Sequence, residues 1–239
     1  MFFHTEASAQ SLTFYGPLPA WSQTGRISKK FSYNLFISTT VDAFTRDINN
    51  TEYPAMDLQL YVQPSLIYVH NAHLNFSVSY TYQRNNPFTP NYSNEHRLWQ
   101  QAIYSHAIGK GRMAHRLRFE ERFIEDRLTG KYPFSTRVRY QLSYKLPLQG
   151  KTIEKNEFYL STYNEFYLSL SGNKNAVYSE NWTYLAAGFN MGKGGSIELG
   201  YLFQWAVRDP QQDFRFLHLM QITWITEFNC KKKEKKVVQ

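Results

Sequence analysis

The chain has 239 residues, 17% of them aromatic, and a formal net charge of +8. This length suits one large or two ordinary domains, and no Pro-, Gly- or Ser-rich linker divides the chain, so we expect a single domain. No run approaches the 18 or more apolar residues of a transmembrane helix, so a membrane interpretation must rest on strands alone. The single cysteine, Cys230, excludes an internal disulfide.

The two ends of the chain differ from the part between them. Residues 1–10 resemble the remnant of a secretion signal, since Ala7-Ser8-Ala9 has the small residues of a cleavage site, although no basic or adequate apolar segment precedes it. Residues 230–239 contain KKKEKK and are predicted to be a disordered basic tail. Contact between this tail and anionic lipid headgroups is the alternative. We expect the domain to span residues 11–229.

From Phe31 onward, apolar and polar residues alternate with the two-residue period of β-strands. The preceding segment, residues 11–28, contains Pro17 and Pro19 and shows no sustained alternation, so it predicts either one or two short strands or an irregular lead-in. Pro64 lies inside a predicted strand and cannot donate to a ladder, so we expect a bulge there. The ten predicted strands start near Phe31, Met56, Leu74, Glu95, Arg112, Phe134, Glu157, Trp182, Ile197 and Phe214.

The connections between these strands alternate in length. Those near positions 45, 85, 125, 171 and 208 are long, and those near 71, 109, 147 and 192 are mostly shorter. Long loops on one side and short turns on the other are typical of outer-membrane barrels, which favour even strand numbers. We therefore predict an all-β protein, a transmembrane antiparallel up-and-down β-barrel of about ten strands, or of twelve if residues 11–28 contribute two. An even number predicts that both termini lie in the periplasm of a bacterial outer membrane.

The hairpin before and after Gly109-Lys110-Gly111 shows the two faces most clearly. If Lys110 and Gly111 are its central pair, Gln101 faces Glu120 and Trp99 faces Arg122. Choosing Gly109 and Lys110 instead changes the partners but not the faces. One face is charged and the other apolar, which we interpret as the inside of a barrel and its contact with outer-membrane lipid.

Arginines lie within the predicted strands, whereas most lysines lie in turns and in the tail. The planar guanidinium suits a crowded, partly dehydrated interior better than a wet sheet face, which argues against a soluble β-barrel. The signs of the inward charges nearly balance, which favours a structural plug; a narrow solute or ion path is the alternative. The predicted lumen network consists of Glu95, Arg97, Trp99, Gln101, Arg116, Arg118, Glu120, Arg122, Arg137, Arg139 and Glu165.

Other chemistry has weaker support. Ser105 and His106 are the best candidates for the catalytic residues of a lipid-modifying enzyme, a phospholipase or deacylase. Alternation, however, places their side chains on opposite faces of the strand. We therefore expect no catalytic residue, no enzyme activity and no cofactor. His106 and His115 lack a third ligand, so we expect no metal site. Nucleic-acid binding has no supporting module, because the arginines point inward.

Four segments resemble a known family: EHRLWQQ, the run Arg116–Phe123, RVRYQL and FYLSTYNEFYLS. They are similar to bacterial outer-membrane β-barrels catalogued as domain of unknown function 2490, with a likeness from about Trp21 to Thr226. The resemblance implies a small porin-like barrel, exported and inserted by the barrel-assembly machinery. It implies no activity and no catalytic residue. An accessory subunit of an outer-membrane complex remains a further alternative, and the oligomeric state stays open.

Overall fold

The computed structural model describes residues 11–48, 51–172, 176–208 and 214–229, which form thirteen strands and no helix. Among these residues, no helix has the length and apolar character to cross a membrane. The strands are β1 (Leu12–Arg26), β2 (Phe31–Asp42), β3 (Arg46–Ile48), β4 (Thr51–Tyr53), β5 (Met56–Val69), β6 (Leu74–Asn85), β7 (Ser93–Ile108), β8 (Gly111–Ile124), β9 (Phe134–Pro147), β10 (Phe158–Ser171), β11 (Tyr178–Gly192), β12 (Gly195–Val207) and β13 (Phe214–Asn229).

Eleven of these strands close into one barrel, and β3 with β4 forms a separate two-stranded sheet. Sequence neighbours in the barrel pair antiparallel, but β1 and β13 pair parallel along the whole of β1. The prediction of ten or twelve strands was therefore wrong. The additional strand is β1, in which Pro17 and Pro19 interrupt the alternation that identifies the others. An odd number of strands requires one parallel pair at the closure.

Parallel closure places Leu12 and Asn229 at opposite ends of the barrel. The prediction that both termini lie on one side rested on an even number of strands, and the barrel has eleven. Residues 1–10 and 230–239 themselves lie outside the described residues. The expected alternation of connections is present, with residues 148–157 as one long exception. The long-loop end is the end at which β2, β6, β8, β10 and β12 finish, and the short-turn end is the end at which β1, β5, β7, β9 and β11 finish.

The structure decides two local points. In the β7–β8 hairpin Ile108 pairs with Gly111, so of the two turn choices Gly109 and Lys110 are the central pair, and Gly109 has a φ of 57°. Glycine reaches this positive φ without a Cβ clash. Trp99 consequently pairs with Glu120, while the two faces stay as predicted. Pro64 forms no bulge; the register of β2 with β5 shifts next to Thr40 instead.

The first half of β1 is held mainly by β13. The Tyr15 carbonyl accepts a hydrogen bond from the Ala43 amide at 2.8 Å, so alternate residues of β1 direct their backbone groups toward β2. Pro17 and Pro19 occupy the next two such positions and have no N–H to donate. The ladder between β1 and β2 accordingly begins only at Ala20.

Alternation gives the barrel two different surfaces. The outward side chains near mid-barrel are mainly aliphatic; Leu117, for example, is 56% exposed. Tyrosine, histidine, phenylalanine and tryptophan gather toward both ends of the strands: around His96 and His218 near the long loops, and around His115 near the short turns. The inward side chains include most of the buried charged residues.

Disulfide trapping tests the closure. Ala20 and Thr223 are directly paired across β1 and β13, and neighbouring strands are about 4.8 Å apart, within the Cα range of about 4.4–6.8 Å that a disulfide bridges. In a Cys230→Ser background, Ala20→Cys with Thr223→Cys should crosslink on oxidation and migrate faster on a denaturing gel without reductant. Ala20→Cys with Gln221→Cys, two residues out of register, is the control. Preferential crosslinking of the control pair would contradict the register.

Candidate functional site in the barrel interior

All eleven sequence-predicted residues lie on the inward side of β7 to β10, because each occupies the inward parity of its strand. Seven of the charged residues are almost fully buried, and Arg116 and Arg122 are partly buried. Glu180 on β11 joins them through Arg137. We call the following ten residues the charged wall: Glu95, Arg97, Arg116, Arg118, Glu120, Arg122, Arg137, Arg139, Glu165 and Glu180.

Glu120 is the most deeply buried member of the charged wall, with 0% of its surface exposed. Its two oxygens accept hydrogen bonds from Arg137 Nε and from Arg139 Nη1, each at 2.8 Å, and both arginines lie on the adjacent strand β9. Arg118 is farther away, at 3.7 Å. Arg116, on the same strand as Glu120, pairs with Glu165. Two arginines therefore neutralise one buried carboxylate.

The other two central carboxylates each hold two arginines as well. Glu165 receives a bidentate pair from Arg139 at 2.8 and 2.9 Å and a further hydrogen bond from Arg116. Bidentate guanidinium contacts fix orientation as well as distance. Because Arg116 lies on β8 and Glu165 on β10, their ion pair skips a strand and lies across the curve of the barrel.

Nearer the long-loop end, Glu95 binds Arg122 of β8 at 2.7 and 3.1 Å and also accepts from Arg97 on its own strand. Arg97 continues the chain of contacts to Gln83 on β6. Arg137 bonds Glu180 on β11 at 2.8 Å. Two clusters of polar contacts therefore span six strands. The cluster around Glu95 joins β6, β7 and β8, and the cluster around Glu120 and Glu165 joins β8 to β11.

Aromatic rings complete the charged wall. Arg118 stacks on Trp99 with its guanidinium carbon 3.8 Å from the ring centre, and Arg139 lies 4.3 Å from the centre of Tyr167. The Tyr167 hydroxyl also accepts a hydrogen bond from Arg139 at 2.8 Å. Stacking of this kind favours arginine over lysine because the guanidinium is flat and weakly hydrated.

The charges in the wall do not balance. Six arginines face four glutamates, an excess of two positive charges. Arg118 is the member with the weakest anionic partner: its hydrogen bonds, at 2.8 and 3.0 Å, go to the neutral Gln101. The sequence analysis expected inward charges that nearly balance, but within the charged wall the arginines are in excess.

An apolar wall, which the sequence analysis missed, faces the charged one. It consists of buried residues from β1, β11, β12 and β13, against which Leu58, Trp182 and others pack. In β13 both faces are apolar, so alternation alone gives no direction. Glu198 on β12, where alternation does show, is inward and pairs with Lys145 at 2.9 Å. The members of the apolar wall are Leu18, Tyr184, Ala186, Leu202, Leu217 and Leu219.

The network does not fill the interior. A cavity of about 790 Å³, the long-loop chamber, lies between the charged wall and the apolar wall. A smaller cavity of about 280 Å³, the short-turn chamber, lies below it. Four residues line both cavities and separate them: Phe36, Gln63, Arg116 and Arg118.

The remaining candidates stay apart. Ser105 points inward and accepts hydrogen bonds from Arg112, whereas His106 stacks on His115 with ring centres 5.4 Å apart on the outward face. Ser105 and His106 therefore do not meet. Within the described part of the chain, no three His, Cys, Asp or Glu residues are grouped as a metal site.

Comparison with known proteins gives one match. The model of the family described as Protein of unknown function (DUF2490) matches residues 20–215, most of the 239-residue chain. The chain belongs to the DUF2490 family. Neither the curated proteins nor the solved structures contain a match. The DUF2490 family carries no assigned activity, so the function must be inferred from the barrel itself.

Glu120→Ala tests the energetic role of the charged wall. Removing this carboxylate leaves Arg137 and Arg139 buried without their shared partner, which should lower the free energy of unfolding by about 3–5 kcal/mol. The neighbouring Glu121 points outward, and Glu121→Ala should change it by about 0.5 kcal/mol or less. Urea unfolding in detergent micelles measures both. Equal effects of the two substitutions would contradict a buried ion-pair network.

Proposed function

We propose that the protein is a bacterial outer-membrane β-barrel whose interior is obstructed by the charged wall and does not form an open pore. The outward surface supports the membrane location. Leucine, isoleucine and valine dominate its middle, and aromatic side chains gather toward both ends of the strands. An apolar band between two aromatic girdles is the arrangement that lipid requires of a barrel.

The proposal of an obstructed interior rests on one observation. Arg118 stacks on Trp99 at mid-barrel, where the two chambers meet. The side chain of Arg118 is held from below by Gln101, and Arg116 beside it is held by Glu165. A barrel of eleven strands is wider than one of eight, whose interior side chains just fill, but narrower than the barrels of about 16–18 strands that leave an aqueous channel. Bulky side chains fixed by hydrogen bonds therefore narrow the passage between the two chambers.

The orientation and partners follow from the same proposal. Short turns face the periplasm in outer-membrane barrels, so the end of β13 at Asn229 is periplasmic and the start of β1 at Leu12 is on the opposite side. Outer-membrane lipid is the proposed surrounding partner. The barrel-assembly machinery is the proposed partner during insertion.

A narrow solute or ion path is the second candidate, and one observation favours it. The two chambers lie in line and share a boundary formed by Phe36, Gln63, Arg116 and Arg118. A small movement of the Arg118 side chain would join them. Such a path would select anions, because arginine is the charged residue at its narrowest part.

Planar-bilayer conductance distinguishes the two candidates. The purified wild-type barrel, shown to be folded by a heat-dependent change in gel mobility, should give no steady conductance. Arg118→Ala with Glu120→Ala, and Arg112→Ala as a control outside both chambers, should be recorded beside it. A steady wild-type conductance whose ion selectivity shifts in the double variant, but not in the control, would overturn the obstructed interior and establish the path.

A further inference from the structure

Far more positively charged than negatively charged side chains line the long-loop chamber. Of the residues that the structure describes, nine arginines and three glutamates border it, and no lysine or aspartate does. Glu120 lies behind this surface and binds two of the nine. Charges taken out of water are costly unless an opposite charge compensates them. The lining therefore favours an anion inside the chamber.

Two arginines at the floor of the chamber are only partly satisfied. Arg116 Nε is buried and has no hydrogen-bond partner, although Nη2 of the same side chain binds Glu165. Arg118 has no carboxylate oxygen within hydrogen-bond distance, since the Glu120 oxygen is 3.7 Å away. Arg116 and Arg118 are two residues apart on β8 and share its inward face. Paired guanidinium groups are the usual protein ligands of carboxylate and phosphate oxygens.

The opposite side of the same chamber is apolar. Phe14, Leu18, Leu202 and Leu217 line it, together with Leu58. Leu18 and Leu202 lie near the middle of β1 and β12, and Phe14 and Leu217 lie nearer the long-loop end of β1 and β13. A volume of about 790 Å³ falls within the roughly 300–1,000 Å³ of small-molecule sites. An inorganic anion alone would leave this apolar surface without a ligand contact.

We propose that the long-loop chamber binds an anionic amphiphile with a single acyl chain. The carboxylate or phosphate headgroup lies at the floor, against Arg116 and Arg118, and the chain lies along Leu18, Leu202 and Leu217. Arg127, Arg208 and Arg215 at the mouth raise the local concentration of anions. This proposal goes beyond the obstructed interior and is tested without reference to conductance.

Native mass spectrometry of the full chain in a non-ionic detergent tests the proposal directly. The probes are palmitate and a lysophosphatidic acid with the same chain, which distinguish a fatty acid from a lipid phosphate. Hexadecanol tests the need for charge, and acetate and inorganic phosphate test the need for a chain. The expected result is one saturable palmitate or lysophosphatidic acid molecule per barrel, with at least tenfold weaker binding of hexadecanol and of the two small anions.

Three variants locate the site. Arg116→Gln and Arg118→Gln should each weaken binding about tenfold or more, the effect of one charge-assisted hydrogen bond. Leu18→Asn should weaken the binding of both amphiphiles, because it places a polar side chain against the acyl chain. Arg112→Gln is the matched control, because Arg112 lies at the short-turn end and bonds Ser105 and the Ala72 carbonyl instead. Heat-dependent gel mobility verifies that each variant is folded.

The outcomes that overturn the proposal are equally specific. They are no saturable binding of either amphiphile to the folded wild type, equal binding of hexadecanol, equal binding of acetate or phosphate, and unchanged amphiphile affinity in folded Arg116→Gln and Arg118→Gln. Tighter binding of palmitate or of lysophosphatidic acid supports the proposal in either case and identifies the headgroup as carboxylate or phosphate.

Discussion

Compensation of buried charge is the constraint on which this barrel depends. The six arginines of the charged wall point into the barrel, and burying them requires anionic partners at hydrogen-bond distance. Glu120 and Glu165 provide those partners across strand boundaries, so the ion pairs bind β8, β9 and β10 to one another. A one-residue slip of any of these strands would turn its charged side chains outward. The charged wall therefore specifies register as well as filling space.

The same constraint explains why the interior is asymmetric. The ion pairs of the charged wall lie on β7 to β11, from Glu95 and Arg97 to Glu180, and Arg97 also bonds Gln83 on β6. The remaining strands of that half of the barrel contribute Leu18, Leu202 and Leu217, which need no polar partner and pack on one another. Between the two walls lies a chamber with one cationic and one apolar side. This division of the lining is the reason for proposing a ligand that has both an anionic and an apolar part.

Much of this architecture follows from a two-residue period. Where inward residues are charged and outward ones apolar, as around Glu120, alternation fixes the facing of each side chain without any knowledge of partners. Alternation could not predict which residues pair across the β7–β8 hairpin, because the two possible turns at Gly109-Lys110-Gly111 give different pairs but the same faces. The true register became clear only from the pairing of Ile108 with Gly111.

The strand count and the apolar wall could not be predicted for a different physical reason. Pro17 and Pro19 give β1 the sequence of a loop, yet β13 pairs with it along its whole length and so compensates for the donors that β1 lacks toward β2. In β13, Leu217 and Leu219 are inward while Phe216 and Met220 are outward, so both faces are apolar and the period carries no information. Only closure of the sheet assigns the direction.

The central claim is that alternation separates a lipid-facing surface from a charged interior, and tryptophan quenching in vesicles tests it most directly. Trp99 and Leu185 lie near the middle of β7 and β11; Trp99 is 1% exposed and inward, and Leu185 is 59% exposed and outward. One variant keeps Trp99 alone, with the other tryptophans changed to Phe, and a second carries Leu185→Trp with all native tryptophans changed to Phe. In vesicles of phospholipid brominated along the acyl chains, the account predicts strong quenching at position 185 and little at Trp99. Equal quenching at both positions, or stronger quenching at Trp99, would contradict it.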